Sequence, residues 1–339
     1  MEEIVEQRVR EAIEAFKRGE MLIVMDDEDR ENEGDLVYAG IFSTPEKVNF
    51  MAREARGLIC VSITQELASS LELNPMVSCN DSNHHTAFTV SIDAKEATTG
   101  ISAYERDMTI SLMCNPNSKP SDFVRPGHIF PLVAKEGGVL VRTGHTEASV
   151  DLCKLSGLAP VAVICEMMKS DGSMARRGDR FLFDFAQEYQ LKILYVSDLV
   201  QYRLHFENLI SCEHEEEVSL CLKPCKKYLF KDHLDRIYEV FAFEGQGKLP
   251  YVRFHHIKQD IQMMQEDFAS FMKVLNMIEE EGGFLVCLSE KSEDKSFGIG
   301  AQILKHLGVS DFKLLSSRRA IDYSALGGFG VNIVEVICI

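Results

Sequence analysis

The sequence predicts a tandem of two α/β units, the first built on a mixed sheet and the second smaller. Three observations predict it. Apolar runs of strand length alternate with segments of helical period. Gly, Pro, Ser and Asp separate them. The chain has 339 residues, about two domains at roughly 150 residues each.

Val5, Val9, Ala12, Ile13 and Phe16 share one helical face, and Gly19 ends that helix. Residues 21–25 form an apolar run, expected as a buried strand, and the acidic segment 26–35 follows it. Thr44-Pro45-Glu46 opens a helix, with Thr44 as N-cap and Pro45 in its first turn. Residues 58–63 and 87–92 read as strands, and so does the run from Gly137 to Arg142. Residues 146–156 read as a helix, 161–165 as a strand, 176–189 as a helix and 191–196 as a strand. Ser197-Asp198 caps a last helix that ends near His205. The polar stretch 207–217 marks a boundary, so the expected domains are 1–205 and 206–339. In the second, 218–222, 237–243, 284–288, 312–315 and 331–337 are expected strands. Expected helices there are 260–281, stopped by Gly282-Gly283, then 300–307 and 318–326.

Lys and Arg number 36 against 53 Asp and Glu, a formal net charge of −17. That balance argues against nucleic acid and against an anionic membrane surface as partners. No apolar run approaches the ~20 residues of a membrane span. Ten cysteines are scattered, most of them in strand-like apolar stretches, and residues 1–20 are charged with no apolar leader segment. This pattern reads as reduced thiols in a cytoplasm. Residues 1–200 carry −12 of the charge, and 26–35 alone hold seven carboxylates.

Four constellations can carry chemistry. A charge run is most often a solvated turn. The run 26–35, however, leaves a buried strand, where α/β sites are built, and its crowded carboxylates call for a hard divalent cation. Arg125-Pro126-Gly127-His128 is expected as a rigid turn presenting His128, an acid/base candidate. Arg142-Thr143-Gly144-His145-Thr146-Glu147 is expected as a strand end, a turn and a helix start. Helix N-terminal N–H groups and Arg142 suit phosphate, His145 suits a metal, and Thr146 suits a helix cap. Glu166 ends an apolar strand, where a partly desolvated carboxylate suits general acid/base work.

Together these segments resemble the signatures of 3,4-dihydroxy-2-butanone 4-phosphate synthases. Thr98-Thr99-Gly100-Ile101-Ser102-Ala103 and Lys119-Pro120-Ser121-Asp122 extend the resemblance, which covers about 4–203. That family converts D-ribulose 5-phosphate to L-3,4-dihydroxy-2-butanone 4-phosphate and formate in riboflavin biosynthesis. The resemblance implies Glu31 and His145 as metal ligands, for Mg²⁺ or Mn²⁺, one ion or two. It implies His128 and Glu166 as the catalytic pair. Arg30, Glu31, Asp35, Arg142, Thr143, Gly144, His145, Thr146 and Glu166 are implied substrate contacts, with Arg142 and Thr146 toward the phosphate. Asp26 and Glu28 are implied to lie in a loop that closes on substrate. A homodimer is implied too. One departure is Glu105, where the family usually has Asp; the extra methylene predicts altered geometry rather than lost activity.

The segment 297–335 resembles the C-terminal part of GTP cyclohydrolase II. The zinc cluster of that family, three Cys as Cys-x10-Cys-x-Cys, is missing; Cys212, Cys221 and Cys225 have the wrong spacing, so no zinc is expected. His255-His256 on one strand point to opposite faces, which argues against a shared metal. The expected second domain is therefore non-catalytic. The alternatives are a bifunctional enzyme that also hydrolyses GTP, and a dimerisation or regulatory module.

Overall fold

In this computed structural model the chain divides into two compact units, Glu3–Tyr202 and Arg203–Ile339. The structure describes residues 3–28, 30–256, 268–288, 293–316 and 331–339, without the side chains of His256 and of 293–298.

The strands of the first unit are β1 (Leu22–Met25), β2 (Gly34–Ala39), β3 (Cys60–Ile63), β4 (Ile92–Ala94), β5 (Phe123–Val133), β6 (Val161–Glu166) and β7 (Lys192–Tyr195). Its helices are α1 (Glu3–Lys17), α2 (Pro45–Phe50), α3 (Gln65–Ser70), α4 (Ala103–Cys114), α5 (His145–Leu155), α6 (Arg180–Glu188) and α7 (Val196–Phe206), the last running past the unit boundary. The sheet order is β4-β5-β3-β6-β2-β1-β7. The β3/β5 and β1/β7 pairs are parallel and the others antiparallel.

Both faces of this sheet are covered, which is why its central strands read as unbroken apolar runs. Ile23, Met25, Leu36, Tyr38, Val163 and Cys165 point to one core, with Val48 of α2, Ala68 of α3, Ile110 of α4 and Leu182 of α6. Leu22, Val24, Val37, Ala39, Ala162 and Ile164 alternate to the other core, against Phe16 of α1, Leu152 of α5 and Leu199 of α7. Thr44 caps α2 as the sequence predicts, accepting from the Lys47 N–H at 3.3 Å.

Several local expectations change. The run 137–142 is no strand: Gly137 and Gly138 sit at φ +85° and +61°, and Gly138–Leu140 is a single 3₁₀ turn. A β-carbon on Gly138 would lie 2.1 Å from Asp151 Oδ1, so only glycine fits there. Residues 87–91 form only isolated bridges, Thr89 to Pro75 and Phe88 to Leu132; the strand begins at Ile92. Helix α6 starts at Arg180, because Asp179 accepts the Arg176 N–H at 3.1 Å and closes a turn first. Asp198 is no cap: α7 begins at Val196, and buried Asp198 accepts from the Arg8 guanidinium.

The second unit contains β8 (Ile210–Leu220), β9 (Lys223–Asp232), β10 (Ile237–Phe243), β11 (Tyr251–His256), α8 (Phe268–Glu281), β12 (Gly283–Leu288), α9 (Glu293–His306), β13 (Asp311–Ser316) and β14 (Asn332–Cys338). Its sheet order is β14-β13-β11-β12-β10-β9-β8, parallel from β12 to β14 and antiparallel from β12 to β8. The polar stretch 207–217, expected as a domain boundary, is largely β8. As an edge strand it leaves its acidic side chains in water, and Glu215 pairs with Lys226 of β9 at 3.1 Å. Val274, Leu275 and Ile278 of α8 pack on Phe243, Leu285 and Leu315. Of the expected helix 260–281, residues 268–281 are helical and the earlier part lies outside the described residues. The expected helix 318–326 lies within the segment 317–330, which is also outside them.

Candidate active site

The candidate residues collect along one edge of the first sheet. β1 delivers Asp26 there, and β2 leaves from Gly34 and Asp35. In the β2/β6 ladder Asp35 faces Glu166. Cys60 of β3 faces both Phe130 of β5 and Ile164 of β6. Parallel β5 and antiparallel β6 therefore bring His128 and Glu166 toward the same edge. The N-terminus of α5 adds His145.

Buried Asp26 organises the acidic loop. It accepts the N–H groups of Glu31 at 3.1 Å and Glu33 at 2.8 Å, and the Arg30 guanidinium at 2.7 Å. Arg30 also grips Glu31 with two hydrogen bonds, 2.7 and 2.9 Å. Asp27 pairs with Arg177 at 2.7 Å, and Glu28 is exposed. Asp29 lies outside the described residues.

His145 is buried, with Nδ1 3.6 Å from Glu31 Oε2 and 3.9 Å from Asp35 Oδ1. Burial alone would lower its pKa; Asp35, Glu31 and Asp26 outweigh it and hold the imidazole at about 9. Burial pushes Asp35 upward, with the Glu166 and Glu31 charges adding and His145 opposing. Burial also acts upward on Glu31, but His145 and Arg30 hold it down at about 2.

Two buried atoms here, His145 Nε2 and Asp35 Oδ1, have no hydrogen-bond partner. Such atoms are rare unless a ligand, ion or water satisfies them. Asp26, Glu31 and His145 offer ligand atoms within 4.8 Å of one another, the only such group of three or more among the described residues. Carboxylate oxygens with one imidazole fit a hard divalent cation.

Gly144 occupies the N-cap position of α5, so Thr146 is the second helical residue and no cap. A β-carbon on Gly144 would sit 2.4 Å from Arg142 Nη1 and 3.0 Å from Arg30 Nη2: two guanidinium groups converge on the helix N-terminus. Arg142 donates to buried Glu147 at 2.7 Å and to the His84 carbonyl at 3.2 Å. Thr143 is half-buried and Thr146 buried. Glu166 Oε2 accepts the Leu58 N–H at 2.9 Å, and Gly57 packs so closely on Glu166 that a β-carbon would lie 2.3 Å from its carbonyl oxygen.

His128 stands apart from the acidic loop. The expected turn is instead a bulge within β5: Ile92 faces Ile129 while Asp93 faces Val124, so residues 125–128 loop out of the ladder. Asp93 holds His128 twice, accepting its backbone N–H at 2.8 Å and meeting ring Nδ1 at 2.8 Å. The sequence reading does not single out Asp93 or Gly57, and it gives Glu147 no role of its own. A carboxylate inside the apolar run Ile92-Asp93-Ala94 was the available signal, since buried Asp is rare without a partner.

The chain is similar to known proteins over nearly its whole length. The family model for 3,4-dihydroxy-2-butanone 4-phosphate synthase matches residues 10–202, and that for GTP cyclohydrolase II matches 287–338. A 3,4-dihydroxy-2-butanone 4-phosphate synthase from Helicobacter hepaticus is 60% identical, over 98% of this chain and 99% of that protein. The crystal structure of RibBX, a two-domain 3,4-dihydroxy-2-butanone 4-phosphate synthase from A. baumannii, aligns with a TM-score of 0.84 at 36% identity, covering 98% of this chain and all of that one. A 3,4-dihydroxy-2-butanone 4-phosphate synthase solved with two magnesium ions aligns at 43% identity and a TM-score of 0.53, over 57% of this chain and 94% of that one. With the acidic loop, the buried histidine and the paired Asp35 and Glu166 all on one sheet edge, and with relatives matching end to end, this chain belongs to the 3,4-dihydroxy-2-butanone 4-phosphate synthase family.

Proposed function

We propose that this chain converts D-ribulose 5-phosphate to L-3,4-dihydroxy-2-butanone 4-phosphate and formate, a carbon–carbon lyase reaction of riboflavin biosynthesis, at the edge bearing Asp26, Glu31, Asp35, His145 and Glu166. The observation that carries the reading is the pair of orphaned buried atoms, His145 Nε2 and Asp35 Oδ1, beside a carboxylate cluster. Glu31 and His145 would hold a divalent cation, Mg²⁺ or Mn²⁺. When bound, it would polarise the substrate's carbonyl and neighbouring hydroxyl and so acidify the C–H of the hydroxyl-bearing carbon.

The protein's own groups move the protons. Glu166, fixed by the Leu58 N–H, takes the proton from the enolising carbon. His128, oriented by Asp93, protonates the departing hydroxide. Arg30, Arg142, Thr143, Thr146 and the N–H groups around Gly144 hold the phosphate, the two guanidinium groups exchanging carboxylate partners for it. Asp26 and Asp35 set the floor of the site, and Glu28 rides on the loop that shields it from water.

In this reading the enzyme is a cytoplasmic homodimer. All ten cysteines are free, and Ile101, Tyr104 and Met108 form an exposed apolar strip beside the loop that flanks His128. Among the described residues no helix is long and apolar enough to cross a membrane. The second unit, 206–339, is non-catalytic. Its thiols are spread over β8, β9, β12, β14 and the β8–β9 turn. Even on neighbouring strands, Cys212 faces Phe230 and Cys225 faces Val218, about 17 Å apart in register. His255 packs against Phe271, ring centroids 5.2 Å apart.

The test is formate release from ribulose 5-phosphate and from GTP, each with and without chelator. Release from ribulose 5-phosphate alone, abolished by chelator and restored by Mg²⁺ or Mn²⁺, is the expected result. GTP-dependent release would establish the bifunctional alternative.

A further inference from the structure

Glu105 is the third residue of α4, behind the N-cap Ser102, whose hydroxyl accepts the Glu105 N–H at 3.2 Å. A glutamate in a first helical turn ordinarily faces water and gains only from the helix dipole. This one turns back into the loop before the helix. Its carboxylate accepts the Thr98 N–H at 2.6 Å and hydroxyl at 2.7 Å, the Thr99 N–H at 3.2 Å and hydroxyl at 3.1 Å, the Gly100 N–H at 3.1 Å and the Ser102 hydroxyl at 3.0 Å. Six donors converge on two oxygens, and three of them are successive backbone N–H groups. The loop forms no ladder of its own, so this carboxylate is what fixes its path.

The far end of that loop presses on the Asp93–His128 pair. Gly100 adopts φ +80°. A β-carbon there would lie 2.0 Å from Asp93 Oδ2 and 2.7 Å from His128 Nδ1, the two atoms that bond each other. The Gly100 backbone is thus a wall against their hydrogen bond.

We propose that Glu105 is a positioning residue that keeps the Asp93–His128 pair in register through the Thr98–Gly100 loop. Removing its carboxylate strips six donors of their partner. The loop relaxes, the wall at Gly100 withdraws, and the half-exposed imidazole gains freedom about its ring torsion. Proton transfer at His128 suffers, while the phosphate contacts at the N-terminus of α5 stay in place. The kinetic consequence rests on the catalytic role proposed for His128; the structural consequence does not.

The test uses the full-length chain with its divalent metal, as wild type and as E105A, E105Q, E105D and H128A. Nitrogen-15 spectra of histidine-labelled protein report the His128 Nδ1 hydrogen bond directly. The expected result for E105A and E105Q is a displaced or broadened His128 Nδ1 resonance with the far-ultraviolet circular dichroism of wild type. Their kcat for formate release falls roughly tenfold to a hundredfold, with KM within about threefold, as misplacement of a proton-transfer group predicts. E105D keeps a carboxylate, returns the resonance toward wild type and restores kcat to within about threefold. An E105A protein whose His128 resonance is unmoved overturns the proposal whatever its kcat. If the resonance moves while H128A itself turns over normally, positioning by Glu105 stands and the catalytic reading of His128 falls.

Discussion

The two units use the same building blocks in opposite ways. Each has a seven-stranded mixed sheet with helices packed on it. In the first, ionisable groups crowd onto one sheet edge, and two buried polar atoms there lack partners. In the second, charges along the sheet are matched pairwise: Lys226 with Glu215, Lys227 with Glu239 at 2.5 Å, Lys231 with Asp235 at 2.7 Å and Arg236 with Asp232 at 2.6 Å. Opposite charges on neighbouring strands stabilise a sheet modestly. The two ring nitrogens of His233 also lack partners, but among the described residues no cluster of metal-ligating groups surrounds them. The difference teaches where to look for chemistry in an acidic chain. Net charge does not find it; unsatisfied and mutually repelling groups held in place by the fold do.

The sharpest way to break this contrast is at His145 and Glu166. His145→Ala and Glu166→Ala are each expected to lower formate release from ribulose 5-phosphate by about 10³-fold or more, since metal binding or proton transfer is lost outright. Circular dichroism and thermal unfolding check that the fold persists. Near-normal turnover by either variant would refute the site.

Removing the second unit sharpens the comparison from the other side. A chain ending after Phe206 keeps both cores of the first unit. Its kcat is expected within about tenfold of wild type, and sedimentation reports whether assembly depended on the missing half. Complete loss of turnover by a folded, dimeric truncation would end the idea of a dispensable partner.

A smaller effect is expected at Gly144. Alanine there meets the Arg142 and Arg30 guanidinium groups, so both must shift. KM for ribulose 5-phosphate should rise roughly tenfold, with kcat changed less, because ground-state phosphate binding is what those groups supply. An unchanged KM would move the phosphate elsewhere.

The smallest effect concerns acid stability. The hydrogen bonds from Thr98, Ser102 and Thr99 hold Glu105 down at about 2, below its ordinary 4.5. A depressed carboxylate contributes stability above its unfolded pKa and loses it as pH falls toward the folded value. Wild type should therefore melt above Glu105→Gln at pH 6, and the gap should close between about pH 4.5 and pH 2. A gap independent of pH would show that the charge is irrelevant there.

Much of this was legible before folding. Strands β1, β3 and β6 announce themselves as apolar runs because both faces of the sheet are buried. Thr44-Pro45 marks its helix because capping is local chemistry. The elements misread from sequence share one cause. Residues 137–142 look like a strand by side chain, but the backbone there answers to Asp151, contributed by a later helix. The stretch 207–217 looks like a domain boundary, but Glu215 pairs with Lys226 of the strand that follows, and Glu216 and Glu217 face Lys227 and Lys226 in register. Polarity along the chain does not reveal a partner supplied from elsewhere.

The α/β class, the family resemblance and the segments that bear chemistry can all be read along the chain, because hydrophobic period, turn residues and motif spacing are local properties. Tertiary structure alone decided how those segments meet. Glu166 faces Asp35 through strand register, His145 lies among three carboxylates through helix packing, and Asp93 and Glu105 come to serve His128 through a bulge and a loop. Register and packing follow from contacts between residues distant in the chain, and no single segment encodes those contacts.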